Sequence, residues 1–124
     1  MAISAISCWF EIPALDLDRA AAFYEKLLDL PLRRETIGES EMAIIARPDM
    51  DSNGCVIKSP HYQPGKTGVM LYLNCQAPLD DVLSTAIRNG GRLVTPKTIL
   101  PRDMGCYAHI EDCEGNRIGL HAQA

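Results

Sequence analysis

Ile110-Glu111-Asp112-Cys113-Glu114-Gly115-Asn116-Arg117-Ile118-Gly119-Leu120-His121 reads as a strand, a four-residue turn and a second strand. Asp112 opens the turn, and Gly115 supplies the positive φ that lets a hairpin close. The pattern occurs twice. Asp51-Ser52-Asn53-Gly54, followed by Cys55-Val56-Ile57-Lys58, stands 61 residues earlier. The same offset carries Trp9-Phe10-Glu11-Ile12 onto Met70-Leu71-Tyr72-Leu73. Two landmarks at one spacing predict an internal duplication, with one module near residues 5–60 and its copy near 67–122 of a single 1–124 domain.

Residues 6–14 alternate as a strand, with Ile6, Cys8, Phe10 and Ile12 on one face and Ser7, Trp9, Glu11 and Pro13 on the other. A helix follows, with Asp16 as its N-cap and Asp18 near the positive end of its dipole. Ala20, Phe23, Tyr24, Leu27 and Leu28 keep the i, i+3, i+4 rhythm of a buried stripe, and Pro31 is expected to stop it. Strands are expected over 32–37, 42–47 and 55–59, broken by Gly38 and the Asp51–Gly54 turn. A polar joint over 60–67 connects the modules. The second module repeats the order: a strand over 69–75, then a helix entered at Pro78 and ended at Gly90. The helix carries the stripe Leu79, Val82, Leu83, Ala86 and Ile87. Strands over 92–95, 106–111 and 116–121 complete it, with 100–105 as a loop placed to lie over a pocket. The expected fold class is α+β, two tandem βαβββ modules whose curled mixed sheets surround a cleft, with the helices on the outer side.

The bulk properties exclude several classes. A chain of 124 residues is about one domain, and 47% hydrophobic with 23% charged residues is ordinary globular composition. The net charge of −4 comes from scattered acidic residues, so there is no electrostatic footprint for nucleic acid. No apolar run is long enough for a membrane span, and no secretory signal is expected. Five cysteines without CxxC spacing point to free thiols and a cytoplasmic setting rather than a zinc knot.

The repeat, the stretch Ile12-Pro13-Ala14-Leu15-Asp16-Leu17-Asp18-Arg19-Ala20 leading to Phe23-Tyr24, and the closing Asp112-Cys113-Glu114-Gly115-Asn116-Arg117-Ile118-Gly119-Leu120 resemble the vicinal oxygen chelate superfamily. That superfamily includes glyoxalase I, bleomycin-resistance proteins, extradiol dioxygenases and fosfomycin-resistance enzymes, and the resemblance covers nearly the whole chain. It implies a homodimer in which modules of two chains line each cleft, and a divalent metal held by four residues. One ligand comes from the first and one from the last strand of each module, drawn from His, Glu and Gln. By strand register those seats look like Trp9, Lys58, Met70 and Gly119, none of which suits a divalent cation. The expectation is therefore no family metal and no cofactor.

Strand alternation names what else shares the cleft face: Trp9 and Glu11, Lys58, then Met70, Tyr72 and Asn74, then Tyr107, His109 and Glu111, then Arg117 and His121. Trp9, Lys58, Met70, Tyr72, Asn74, Tyr107 and His109 are candidate ligand contacts, with Trp9 suited to stacking on a planar or sugar-like molecule. Glu11 and His121 form a candidate acid–base pair, because a carboxylate beside an imidazole tunes it for proton transfer. With His109 they are also a candidate relocated metal site. Three readings follow. The favoured one is a glyoxalase/bleomycin-resistance-like small-molecule binding protein. The others are a lyase, isomerase or dioxygenase-type enzyme using a relocated metal or metal-free catalysis by Glu11 and His121, and a structural partner-binding module.

Overall fold

The computed structural model describes residues 6–49 and 53–123; Asp51 and Ser52 of the first expected turn lie outside the described residues. The elements are β1 (Trp9–Pro13), α1 (Leu17–Leu28), β2 (Arg33–Ile37), β3 (Ser40–Ile45), β4 (Asn53–Lys58), β5 (Tyr72–Asn74), α2 (Leu79–Arg88), β6 (Arg92–Ile99), β7 (Cys106–Glu111) and β8 (Arg117–Ala122). They form two four-stranded mixed sheets, ordered β1-β4-β3-β2 and β5-β8-β7-β6. The architecture is α+β, with the βαβββ order occurring twice.

Local sequence explains the elements. The Asp16 carboxylate accepts the Arg19 N–H at 3.1 Å and caps α1, whose apolar stripe of Leu17, Ala20, Phe23, Tyr24 and Leu27 is buried. The helix ends at Asp29, two residues before Pro31. Asp29 adopts a left-handed conformation (φ 50°) and its N–H returns to the Glu25 carbonyl, so a C-terminal cap stops the helix before proline does. In α2 the stripe Leu79, Val82, Leu83 and Ala86 is buried, whereas Ile87 is exposed. Gly90 leaves that helix with φ 99°. Strand β5 is shorter than the expected 69–75. Val69 and Met70 precede it, and its partner β8 begins pairing at Tyr72.

The helix-side faces of both sheets share one core. Ile12, Ala43, Ile45 and Val56 of the first sheet join Leu73, Ala108, Ile110, Ile118 and Leu120 of the second. The sheets do not meet edge to edge: no Cα of β1 lies within 8 Å of a β5 Cα. The modules are tied instead through the β7–β8 turn. Asp112 is buried, and its Oδ1 accepts the N–H groups of Glu114 and Asn116 at 2.9 Å each. Its Oδ2 accepts the Tyr24 hydroxyl at 2.6 Å and Asn116 Nδ2 at 3.0 Å. Asn116 Nδ2 also donates to the Pro13 carbonyl at 2.7 Å. Glu114 receives the Leu15 and Asp16 N–H groups and the Arg19 guanidinium. The other face of each sheet points away from this shared core. Among the described residues no helix is long and apolar enough to cross a membrane.

Two outcomes follow for stability. Tyr24→Phe removes one donor from a buried carboxylate and should cost about 1–3 kcal/mol in urea unfolding. Burial pushes the Glu114 carboxyl up, but Arg19 and the Leu15 and Asp16 N–H groups outweigh it, leaving the carboxyl below its usual range. A lowered folded-state value stabilises above the ordinary carboxylate range, and that contribution is lost as pH falls through the lowered value. Glu114→Gln should therefore destabilise at pH 7, and the gap to wild type should close in acid; a gap constant with pH would refute the assignment.

Candidate functional site

On the second sheet, pairing of Tyr107 with His121, His109 with Gly119, and Tyr72 with Gly119 sets Tyr72, Asn74, Tyr107, His109 and His121 on one face. Tyr72, Tyr107 and His109 cluster, with ring centroids 5.3–6.4 Å apart. The Tyr72 hydroxyl is hydrogen-bonded to His109 Nε2 at 2.7 Å, and His109 Nδ1 to Thr95 Oγ1 at 2.9 Å. His121 Nε2 lies 2.7 Å from the Met104 carbonyl. A carbonyl only accepts, so Nε2 carries the proton and a neutral His121 leaves Nδ1 as an acceptor. Tyr72, Asn74, Tyr107 and His121 line a hollow closed on one side by Leu100, from the loop the sequence placed over a pocket. Leu100 is held there by its N–H bond to the Gly105 carbonyl, 2.9 Å.

The open face of the first sheet carries Trp9, 43% exposed, and Glu11. The Trp9 indole N–H donates to Glu11 Oε2 at 3.3 Å. Beside them Met42, Ile44, Cys55 and Ile57 form a small buried cluster of their own.

No protein-family model and no curated protein sequence matches the chain. Solved structures do. A glyoxalase/bleomycin resistance protein from Albidiferax ferrireducens T118 superposes with a TM-score of 0.74 at 20% identity, covering 97% of this chain and 100% of that one. A glyoxalase/bleomycin resistance protein from Streptomyces sp. CB03234 gives 0.70 at 23% identity over 93% and 98% of the two chains. The genomically encoded fosfomycin resistance protein of Listeria monocytogenes gives 0.68 at 16% identity over 99% and 94%. The chain has the vicinal oxygen chelate fold.

The strand register of this fold corrects one seat. The Ala14 N–H bonds the Ile57 carbonyl as the Cys75 N–H bonds that of His121, both at 2.8 Å. Glu11 pairs with Cys55 as Tyr72 pairs with Gly119. The first strands keep the offset of the repeat, but the last strands are displaced by three residues more. The counterpart of Gly119 is therefore Cys55, not Lys58. Lys58 pairs with Glu41 and, two residues along β4, shares the face of Val56 in the helix-side core, so it does not belong to the open face.

Other expectations change with the geometry. Met70 lies before β5 and is exposed. Glu11 and His121 are not brought together within one chain: Glu11 lines a hollow with Gln63, Thr67 and Arg117, and His121 lines the hollow with Tyr72 and Tyr107. Nor are Glu11, His109 and His121 gathered into a donor set, for among the described residues no three His, Cys, Asp or Glu side chains form one. Thr95 and Leu100 were missed as site residues. Thr95 pairs directly with His109, a relation that alternation within one strand cannot reveal.

Cys55 is fully buried, and burial first, then the Glu11 carboxylate, pushes its thiol up to about 12. Burial raises Cys75 and Cys113 to about 11. Cys8, which by parity shares the face of Phe10 and Ile12, precedes β1 and is exposed. At pH 8 a thiol reagent should label Cys8 rapidly, half-buried Cys75 and Cys113 more slowly, and buried Cys55 and Cys106 only on unfolding. Fast labelling of Cys55 in the folded protein would contradict this burial.

Proposed function

We propose that the chain is a small-molecule binding protein of the glyoxalase/bleomycin-resistance type that works without the divalent ion implied by its fold. The observation that carries this is at Gly119. A Cβ built there would lie 2.3 Å from Tyr72 Cδ1, so the phenol ring fills the space into which a ligating side chain would project. Trp9 and Gly119 offer no donor and Met70 suits only soft metals, which leaves the Cys55 thiol as the single usable ligand atom among the four seats. This donor set does not fit a hard or borderline divalent cation.

The ligand surface is then the polar and aromatic floor of the second sheet: Tyr72, Asn74, Tyr107, His109 and His121. A second copy of the chain supplies the opposing wall, bringing Trp9 and Glu11 of its first sheet over this floor as a homodimer. That arrangement covers side chains left half-exposed in one chain, Trp9 at 43% and Tyr72 at 48%. The five free cysteines support a reducing, cytoplasmic setting.

A metal-free proton-transfer enzyme is the second reading, favoured by the hydrogen-bonded series Tyr72–His109–Thr95 on an accessible face. Turnover of a bound compound would select it.

The test uses Trp9, the single tryptophan, as reporter. Planar fragments from a screened library should change its emission, and Tyr72→Ala or His109→Ala should weaken binding about tenfold, roughly 1.4 kcal/mol, with the unfolding midpoint little moved. Zn²⁺ or Mn²⁺ should neither bind stoichiometrically nor tighten the fragment. Stoichiometric uptake of either ion would defeat the metal-free reading.

A further inference from the structure

The floor of the second sheet has a charged end that the reading above does not use. Glu111 is one-tenth exposed, and three cations converge on its Oε2. Arg92 Nη2 lies at 2.7 Å, and Arg117 Nη2 and Lys66 Nζ lie at 3.5 Å each. Hydrogen bonding from Arg92 first, then the charges of Arg92 and Lys66, holds the Glu111 carboxyl below its usual range against the burial that raises it. The carboxylate is thus held ionised by contacts gathered on one oxygen, while the three cations keep donors to spare. Arg117 Nε is buried and finds no partner among the described residues. Glu11 shares a hollow with Arg117, but its Oε2 takes the Trp9 indole N–H. Counting both carboxylates, positive charge remains in excess.

Register places this cluster in line with the aromatic floor. Glu111 pairs with Arg117, the next same-face pair is His109 with Gly119, and Tyr72 packs over Gly119. Two residues along a strand span roughly 7 Å, about the reach from a ring to an acid group on a short side chain. We infer that the protein binds small organic anions carrying an aromatic or other planar ring. The ring rests on Tyr72 and Tyr107, and the carboxylate or other oxyanion takes the free N–H groups of Arg117, with Lys66 and Arg92 beside it. Arginine suits this role because its fork of donors serves one carboxylate while presenting others to a second.

The inference rests on the binding function proposed above, and the experiment separates the two. Matched aryl carboxylates and their neutral carboxamides, phenylacetate with phenylacetamide among them, are titrated to millimolar levels into the full chain and followed by amide chemical shifts. The expected result is that the acids shift Tyr72, Arg117 and Gly119 at about tenfold lower concentration than the amides. The preference should weaken with added salt and be lost in Arg117→Gln. Lys66→Ala, on an exposed position of the joint, should reduce it with no effect on folding. If acids and amides bind alike, or acids shift residues away from this face, the anionic end is overturned while small-molecule binding stands. If neither class binds anywhere, both readings fall.

Discussion

A single buried carboxylate decides how the two halves of this chain sit together. Asp112 receives four donors: two N–H groups of its own turn, the Asn116 amide and the Tyr24 hydroxyl from α1. A buried charge is tolerated only when its hydrogen-bonding capacity is met. The turn conformation, the position of α1 and the hold of Asn116 on Pro13 are therefore satisfied together or not at all. Because the tie lies on the helix side, each sheet's remaining face is left pointing away from the common core. The polar and aromatic surface is a consequence of where the modules are bound to one another.

The second constraint is the absence of a side chain. Glycine within a strand weakens it unless something approaches closely, and at Gly119 the Tyr72 ring does. The ring covers a strand centre, its hydroxyl reaches His109, and His109 is oriented in turn by Thr95. The absence of a side chain at Gly119 thus lets Tyr72 and His109 lie as a continuous floor of protic groups.

Much of this was legible in the sequence, and the failures have a common cause. Asp16 as a cap, the helix stripes and the alternation of β7 and β8 were readable because one face of each element is buried and the other wet. Tyr72, Asn74, Tyr107, His109 and His121 followed from that alternation. Strand β4 offered no such contrast. Gly54, Cys55, Val56 and Ile57 are all buried, since one face meets the helices and the other forms its own cluster with Met42 and Ile44. A strand buried on both sides carries no register in its sequence. The internal repeat then supplied one, and a difference of three residues between the last strands moved Lys58 into a seat that belongs to Cys55. Hydrogen-bond partners across strands, such as Thr95 and His109, were beyond reach because they depend on pairing rather than periodicity.

The same geometry separates two kinds of proton chemistry that the sequence had merged. Glu11 and His121 lie on different sheets and line different hollows, so only a second chain can oppose them. Tyr72, His109 and Thr95 are joined within one sheet of one chain, each at hydrogen-bond distance from the next. Any function of the latter group belongs to the folded module itself, whereas a Glu11–His121 pairing belongs to an assembly and must vanish on dilution. The floor is therefore the primary element of the site. Trp9 and Glu11 of the same chain stand on the other sheet and take no part in the Tyr72–His109–Thr95 series.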